Sequence, residues 1–132
     1  MALDASRDYP LGTRRRDLLR TPSGKPFAAL ALGADVDAAD LRATPDTLRL
    51  QAEVARDTGR SQLADNLVRA AELASVPQET ILAIYTALRP RRSTAAELEA
   101  WAARLEELGA PANAAFVREA GAVYAERGLL AL

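Results

Sequence analysis

The sequence predicts an all-α protein: a small helical bundle of about five helices preceded by an extended N-terminal arm. Two observations lead to this reading. From Thr44 onward, apolar residues recur at helical spacing in successive segments, and each segment is bounded by helix-start and helix-stop residues. No segment reads as a strand. The chain divides accordingly into residues 1–43, an arm with short turns, and residues 44–132, the helical bundle.

The arm is set apart by its breakers. "DYPLGTRRRDLLRTPSGKP" holds Pro10, Gly12, Pro22, Gly24 and Pro26, a density that forbids a long helix or a central strand. It also carries Tyr9, Leu11, Leu18, Leu19 and Phe27, too much apolar material for a plain disordered tail. Two arrangements suit that mixture: an arm lying on another protein's surface, or one packed on its own domain. "FAALALGADVDAADLR" offers at most short helical turns.

The first bundle helix begins with Thr44 as N-cap and Pro45 at the first helical position, where a missing N–H costs nothing. Leu48, Ala52 and Ala55 form one stripe on it, Leu50 and Val54 a second, and Gly59 interrupts it. The second helix runs from about Arg60, with Leu63, Leu67, Ala70, Ala71 and Ala74 as its expected inner face. Pro77 starts the third, whose expected face is Ile81, Ile84, Tyr85 and Leu88, and the residue before Pro90 ends it. A capping box, Thr94 to Glu97, opens the fourth, whose inner face is Leu98, Trp101, Ala102, Leu105 and Leu108. Gly109 and Pro111 then separate the fifth, with Phe116, Val117, Ala120, Val123 and Tyr124.

Composition narrows the function. At 132 residues the chain has material for one modest core, and 27 % charged residues place it among soluble globular proteins. It contains no Cys and no His, so thiolate chemistry, cysteine-based zinc sites and the commonest general base are excluded. No apolar run approaches the roughly 18 residues of a membrane span, and "MALDASRDYP" lacks the features of a signal peptide. The expectation is a cytoplasmic protein. Sixteen arginines stand against a single lysine, Lys25, a skew that GC-rich coding produces without functional demand.

The segment "YTALRPRRSTAAEL" raises a nucleic-acid reading, since Arg89, Arg91 and Arg92, with Arg14 to Arg16, could neutralise phosphates. Against it stand a net charge of −1 and acidic flanking helices carrying Glu72, Glu79, Glu97, Glu99, Glu106 and Glu107. An autonomous enzyme is no better supported. The carboxylates read as solvated helical positions near arginines, Glu53 with Arg56 and Glu119 beside Arg118, and "SGKP" lacks the glycine and hydroxyl of a phosphate loop. What remains is a structural partner, because helices apolar on more than one side exceed what a small bundle can bury.

Five blocks then match a known family. "DYPL" (8–11), "TPSGKP" (21–26), "TPDTLRLQAEVARDTGR" (44–60), "NLVRAAELASVPQETILAIYTALRPRRST" (66–94) and "AAFVREAGAVYAER" (114–127) resemble, in order, the small (gamma) subunit of adenosylcobalamin-dependent diol and glycerol dehydratases. The resemblance implies a heterohexamer with two copies each of large, medium and small subunits. The large subunit's barrel would hold the diol and its metal ion, and adenosylcobalamin would lie between the large and medium subunits. Homolysis of the cobalt–carbon bond gives an adenosyl radical that abstracts hydrogen from the diol; hydroxyl migration and loss of water yield an aldehyde. The small subunit supplies no catalytic, cofactor-binding or metal-binding residue and packs on the large subunit. A small helical nucleic-acid-binding or adaptor protein is the alternative.

Two features depart from the family pattern. Relatives associated with microcompartments carry an extension before the "DYPL" block, and almost none precedes it here, so encapsulation through this chain is not expected. Arg91 stands where relatives carry an aromatic in the turn, which makes that position polar. The expected partner interface comprises Tyr9, Leu11 and Phe27 of the arm, anchored on the large subunit, and Arg89 of the turn, aimed at its carboxylates.

Overall fold

A computed structural model describes residues 2–24 and 43–132, and Phe27 lies outside them. The chain divides into two units, Met1–Ala71 and Glu72–Leu132. The described residues are helical, with no strand among them.

In the first unit the breaker-rich arm folds into short turns of helix. These are α1 (Ala5–Asp8), α2 (Leu11–Arg14) and a 3-10 turn at Arg16–Leu18. Asp4 caps α1, its carboxylate accepting the Ser6 N–H at 2.9 Å. α3 (Pro45–Asp57) begins as its sequence dictates, with the Thr44 hydroxyl accepting the Thr47 N–H at 3.1 Å. It ends at Gly59, whose φ of 79° suits a residue without Cβ. α4 (Ser61–Leu73) follows, and the boundary between the units falls in its last turn.

The core of the first unit is small: Ala52, Ala55 and Ala64, flanked by half-buried Leu67 and Val68. This corrects the expected face of α4. Leu63 is 45 % exposed and Ala70 and Ala74 are exposed, while Ala64 is fully buried. The step from Leu63 to Ala64 is one residue, about 100° around the helix. Periodicity defines an apolar arc; the position of α3's alanines selects which edge of that arc turns inward. The expected pairing of Glu53 with Arg56 is also absent, for Arg56 reaches Asp65 of α4 at 3.2 Å.

The second unit contains α5 (Gln78–Ala87), α6 (Ala95–Glu107) and α7 (Pro111–Arg127). The capping box forms in full: the Glu97 N–H donates to the Thr94 hydroxyl at 3.2 Å, and the Thr94 N–H to the Glu97 carboxylate at 2.8 Å. α6 and α7 form an antiparallel hairpin about Gly109. Leu98, Ala102 and Leu105 of α6 meet Ala114 and Val117 of α7, with Ile84 and Ala87 of α5 completing the core. On the outer side, Arg118 bridges Glu99 and Glu106 of α6, its Nη2 at 2.8 Å from Glu99 and its Nη1 at 2.5 Å from Glu106. The adjacent Glu119 is not its partner.

Two aromatic assignments are corrected. Tyr85 is 68 % exposed and Phe116 is 45 % exposed, although both fall on the apolar arcs of their helices. The interior beside them is filled by Ile84 and Ala87 of α5 and by Ala114 and Val117 of α7.

Candidate partner interface

Asp8 organises the start of the chain. Its side chain is almost fully buried. It accepts from Arg7 Nη2 at 2.8 Å, from the Asp4 N–H at 2.9 Å and from Arg15 Nη1 at 3.3 Å. The Arg7 guanidinium, helped by the Asp4 N–H, holds this carboxyl well below the usual carboxylate range. Arg15 also binds Asp17 at 3.1 Å and lowers its pKa in turn. A further bond from the Ala5 N–H to Asp57 Oδ2, at 2.5 Å, ties α1 to the end of α3.

This scaffold builds one wall of a groove of about 660 Å³ within the first unit. Tyr9, Leu11 and Leu19 line it from the N-terminal segment, Val54 from α3, and Leu63 and Leu67 from α4, with Arg60 at its edge. Leu11 is 7 % exposed and belongs to the unit's own packing, whereas Tyr9 is 57 % exposed. The structure therefore brings Tyr9 and Leu11 to one groove. Among the described residues its lining is mostly apolar and carries no carboxylate.

Arg89 lies in the second unit, in the turn from α5 to α6. The Arg92 N–H donates to the Arg89 carbonyl at 3.2 Å, and Arg91 between them has φ 63°. Proline at the second position and positive φ at the third are the signature of a type II turn, which favours glycine there. Arginine in that conformation costs about 1–2 kcal/mol. The chain after α7 compensates. The Arg91 N–H donates to the Leu129 carbonyl at 2.7 Å, and the Ala131 N–H to the Ser93 carbonyl at 2.8 Å. From beneath, the buried Ser93 hydroxyl bonds the Ala87 carbonyl at 2.8 Å, and the Tyr124 hydroxyl bonds the Leu88 carbonyl at 2.6 Å.

Sequence reasoning missed both the Glu72 cap and the C-terminal fastening. In sequence Glu72 reads as one acid among those of the flanking helices, yet it is 7 % exposed and its carboxylate accepts the Ala112 and Asn113 N–H groups at the start of α7. No local signal marks such a contact. For the fastening, Gly128 after the basic last turn marks where α7 stops, but nothing local marks what the residues beyond it bond.

Among the described residues no group of three or more metal-ligating side chains forms, and no helix is long and apolar enough to cross a membrane. The chain matches the family model described as dehydratase small subunit over residues 5–131. It is 50 % identical over 125 residues to the propanediol dehydratase small subunit of Citrobacter freundii, covering 91 % of this chain and 73 % of that one. The propanediol dehydratase small subunit of Salmonella typhimurium is 49 % identical over 125 residues, with 91 % and 72 % covered. By the family match and by both identities, this chain belongs to the dehydratase small-subunit family.

Proposed function

We propose that this chain is the non-catalytic small subunit of an adenosylcobalamin-dependent dehydratase that converts propane-1,2-diol or glycerol to an aldehyde and water. The observation that supports the substrate class is the half-identity to two propanediol dehydratase small subunits across 91 % of the chain. Adenosylcobalamin would be held by the large and medium subunits, in a heterohexamer with two copies of each subunit. The donor set here favours that division, since a chain without His or Cys offers neither imidazole nor thiolate to a metal. This subunit's own contribution is to pack on the large subunit. Tyr9 in the groove, together with Leu11 behind it, Phe27 beyond the described residues, and Arg89 are the proposed contacts.

Reconstitution tests the reading. The chain alone, mixed with adenosylcobalamin and propane-1,2-diol, yields no aldehyde; co-expressed with its large and medium subunits it co-purifies and the complex turns over. Aldehyde formation by the isolated chain, or failure to co-purify with either subunit, overturns it. Tyr9→Ala should weaken co-purification while leaving helical circular dichroism unchanged.

A further inference from the structure

The turn between α5 and α6 carries more fastening than a connection of its length requires. Four hydrogen bonds hold it, from Ser93 and Tyr124 beneath and from Leu129 and Ala131 alongside. Together they keep Arg91 in a conformation that arginine ordinarily avoids. All of this rigidity presents charge. Arg89, Arg91 and Arg92 are exposed, and none has a side-chain partner among the described residues. Two other arginines of the same unit are neutralised, Arg104 by Glu107 and Arg118 by Glu99 and Glu106.

Carboxylates to neutralise the turn were available, for the chain has 18 acidic residues against 17 basic ones. Yet Glu97, the nearest acid on α6, is committed to its capping box. Arg127, exposed and unpartnered among the described residues, precedes by two positions the Leu129 carbonyl to which the turn is bonded, and so adds a like charge at this end. Beside the arginines, α5 exposes Leu82 by 57 % and Tyr85 by 68 %. Leu82 and Tyr85 stand at i and i+3 on one stripe of α5, and Arg89 follows two residues after the helix ends at Ala87. Aromatic residues and arginine are the side chains most enriched at interface centres, and a guanidinium fork matches a carboxylate.

We propose that the surface formed by Leu82, Tyr85, Arg89, Arg91 and Arg92 docks an acidic segment of the large dehydratase subunit. Aspartate or glutamate carboxylates of that segment accept from the guanidiniums carried by the turn, and the segment covers Tyr85 and Leu82. The rigid turn lowers the ordering cost of the contact, because the backbone carrying the three forks does not rearrange on binding. This inference rests on the small-subunit reading and specifies the chemistry of its partner.

The single lysine makes a direct test practicable. In a Lys25→Arg background, Arg89→Lys, Arg91→Lys or Arg92→Lys is assembled with the large and medium subunits and treated with a water-soluble carbodiimide. This reagent joins an amine to a contacting carboxylate. The expected result is a covalent small–large product absent from the Lys25→Arg parent, mapping to an aspartate or glutamate of the large subunit. Assembly of all three variants with no new product overturns the proposal, as does a product that maps only to the medium subunit. Alanine substitutions give a second readout. At least one of the three weakens assembly about 30-fold or more, as for a desolvated pair; loss within about fivefold in all three is the exposed-charge result and overturns the proposal while leaving the small-subunit reading intact. If the parent chain itself does not assemble but retards duplex DNA at low salt, the small-subunit reading falls, and this inference with it.

Discussion

The carboxylate of Glu72 accepts the Asn113 backbone N–H at 3.0 Å and the Asn113 side-chain amide at 2.7 Å, across 41 positions of sequence. It takes the Ala112 N–H as well, at 2.9 Å. α7 has no side-chain cap of its own, since Ala110 occupies the N-cap position. A buried acid from the end of α4 therefore does what a serine or aspartate ordinarily does locally, and its negative charge sits at the positive end of the helix dipole.

Replacing Glu72 with alanine should destabilise the protein by about 2–3 kcal/mol, since three donors at the start of α7 lose their acceptor in a buried setting. Glu72→Gln retains one acceptor oxygen and should cost roughly half as much. Urea unfolding followed by circular dichroism measures both, with the exposed Glu79→Ala as control. A Glu72→Ala midpoint equal to that of the control would remove the capping role.

Gly121 sits inside α7, where glycine is entropically unfavourable. A Cβ built there lies 3.7 Å from Leu98 Cδ1 and 3.8 Å from Leu98 Cβ, ordinary van der Waals distances. Gly121→Ala should therefore raise stability by about 0.5–1 kcal/mol. An unchanged or lower thermal midpoint would mean that the α6–α7 packing cannot accept the added methyl.

Arg91 supports an opposite trade. With φ at 63° it occupies the position that a type II turn reserves for glycine. Arg91→Gly should stabilise the isolated chain by about 0.5–1 kcal/mol, relieving the left-handed strain against glycine's greater chain entropy. The same change removes a guanidinium from the turn and should weaken assembly with the large subunit. Denaturation of the isolated chain and affinity for the partner, measured side by side, separate the two effects.

The pH profile follows from the carboxylates. Asp8 is held below its ordinary 3.8, first by Arg7, and Glu99 and Glu106 below their ordinary 4.5 by Arg118. In each case the folded state binds fewer protons than the unfolded state as pH falls through this range. Their stabilisation is therefore complete above the ordinary values and is lost progressively below them. With no histidine in the chain, stability should be flat between about pH 6 and pH 8 and fall below about pH 5. Asp8→Asn should flatten the acid limb. Denaturant midpoints across the range check this, and a step near neutrality would contradict it.

The helices were legible because their signals are local. Thr44 with Pro45, Gly59, Pro77, the Thr94–Glu97 box and Gly109 with Pro111 each act within one turn of backbone, and the five bundle helices begin where these residues place them, although α5 ends at Ala87, ahead of the stop expected before Pro90. The face of α6 was also readable, since Leu98, Ala102 and Leu105 form a single stripe with no competing arc.

Where two arcs competed, the sequence could not choose. Leu63 and Ala64, or Tyr85 and Ile84, are one step apart on their helices, and only the neighbouring helix determines which is enclosed. The absence of His and Cys, the family blocks and the helical class are properties of the chain itself, determined by composition and short-range order. The capping of α7 by Glu72, the exposure of Tyr85 and the fastening of Arg91 to Leu129 belong to the tertiary structure. Each depends on groups distant in sequence meeting in space, and no local preference encodes that meeting.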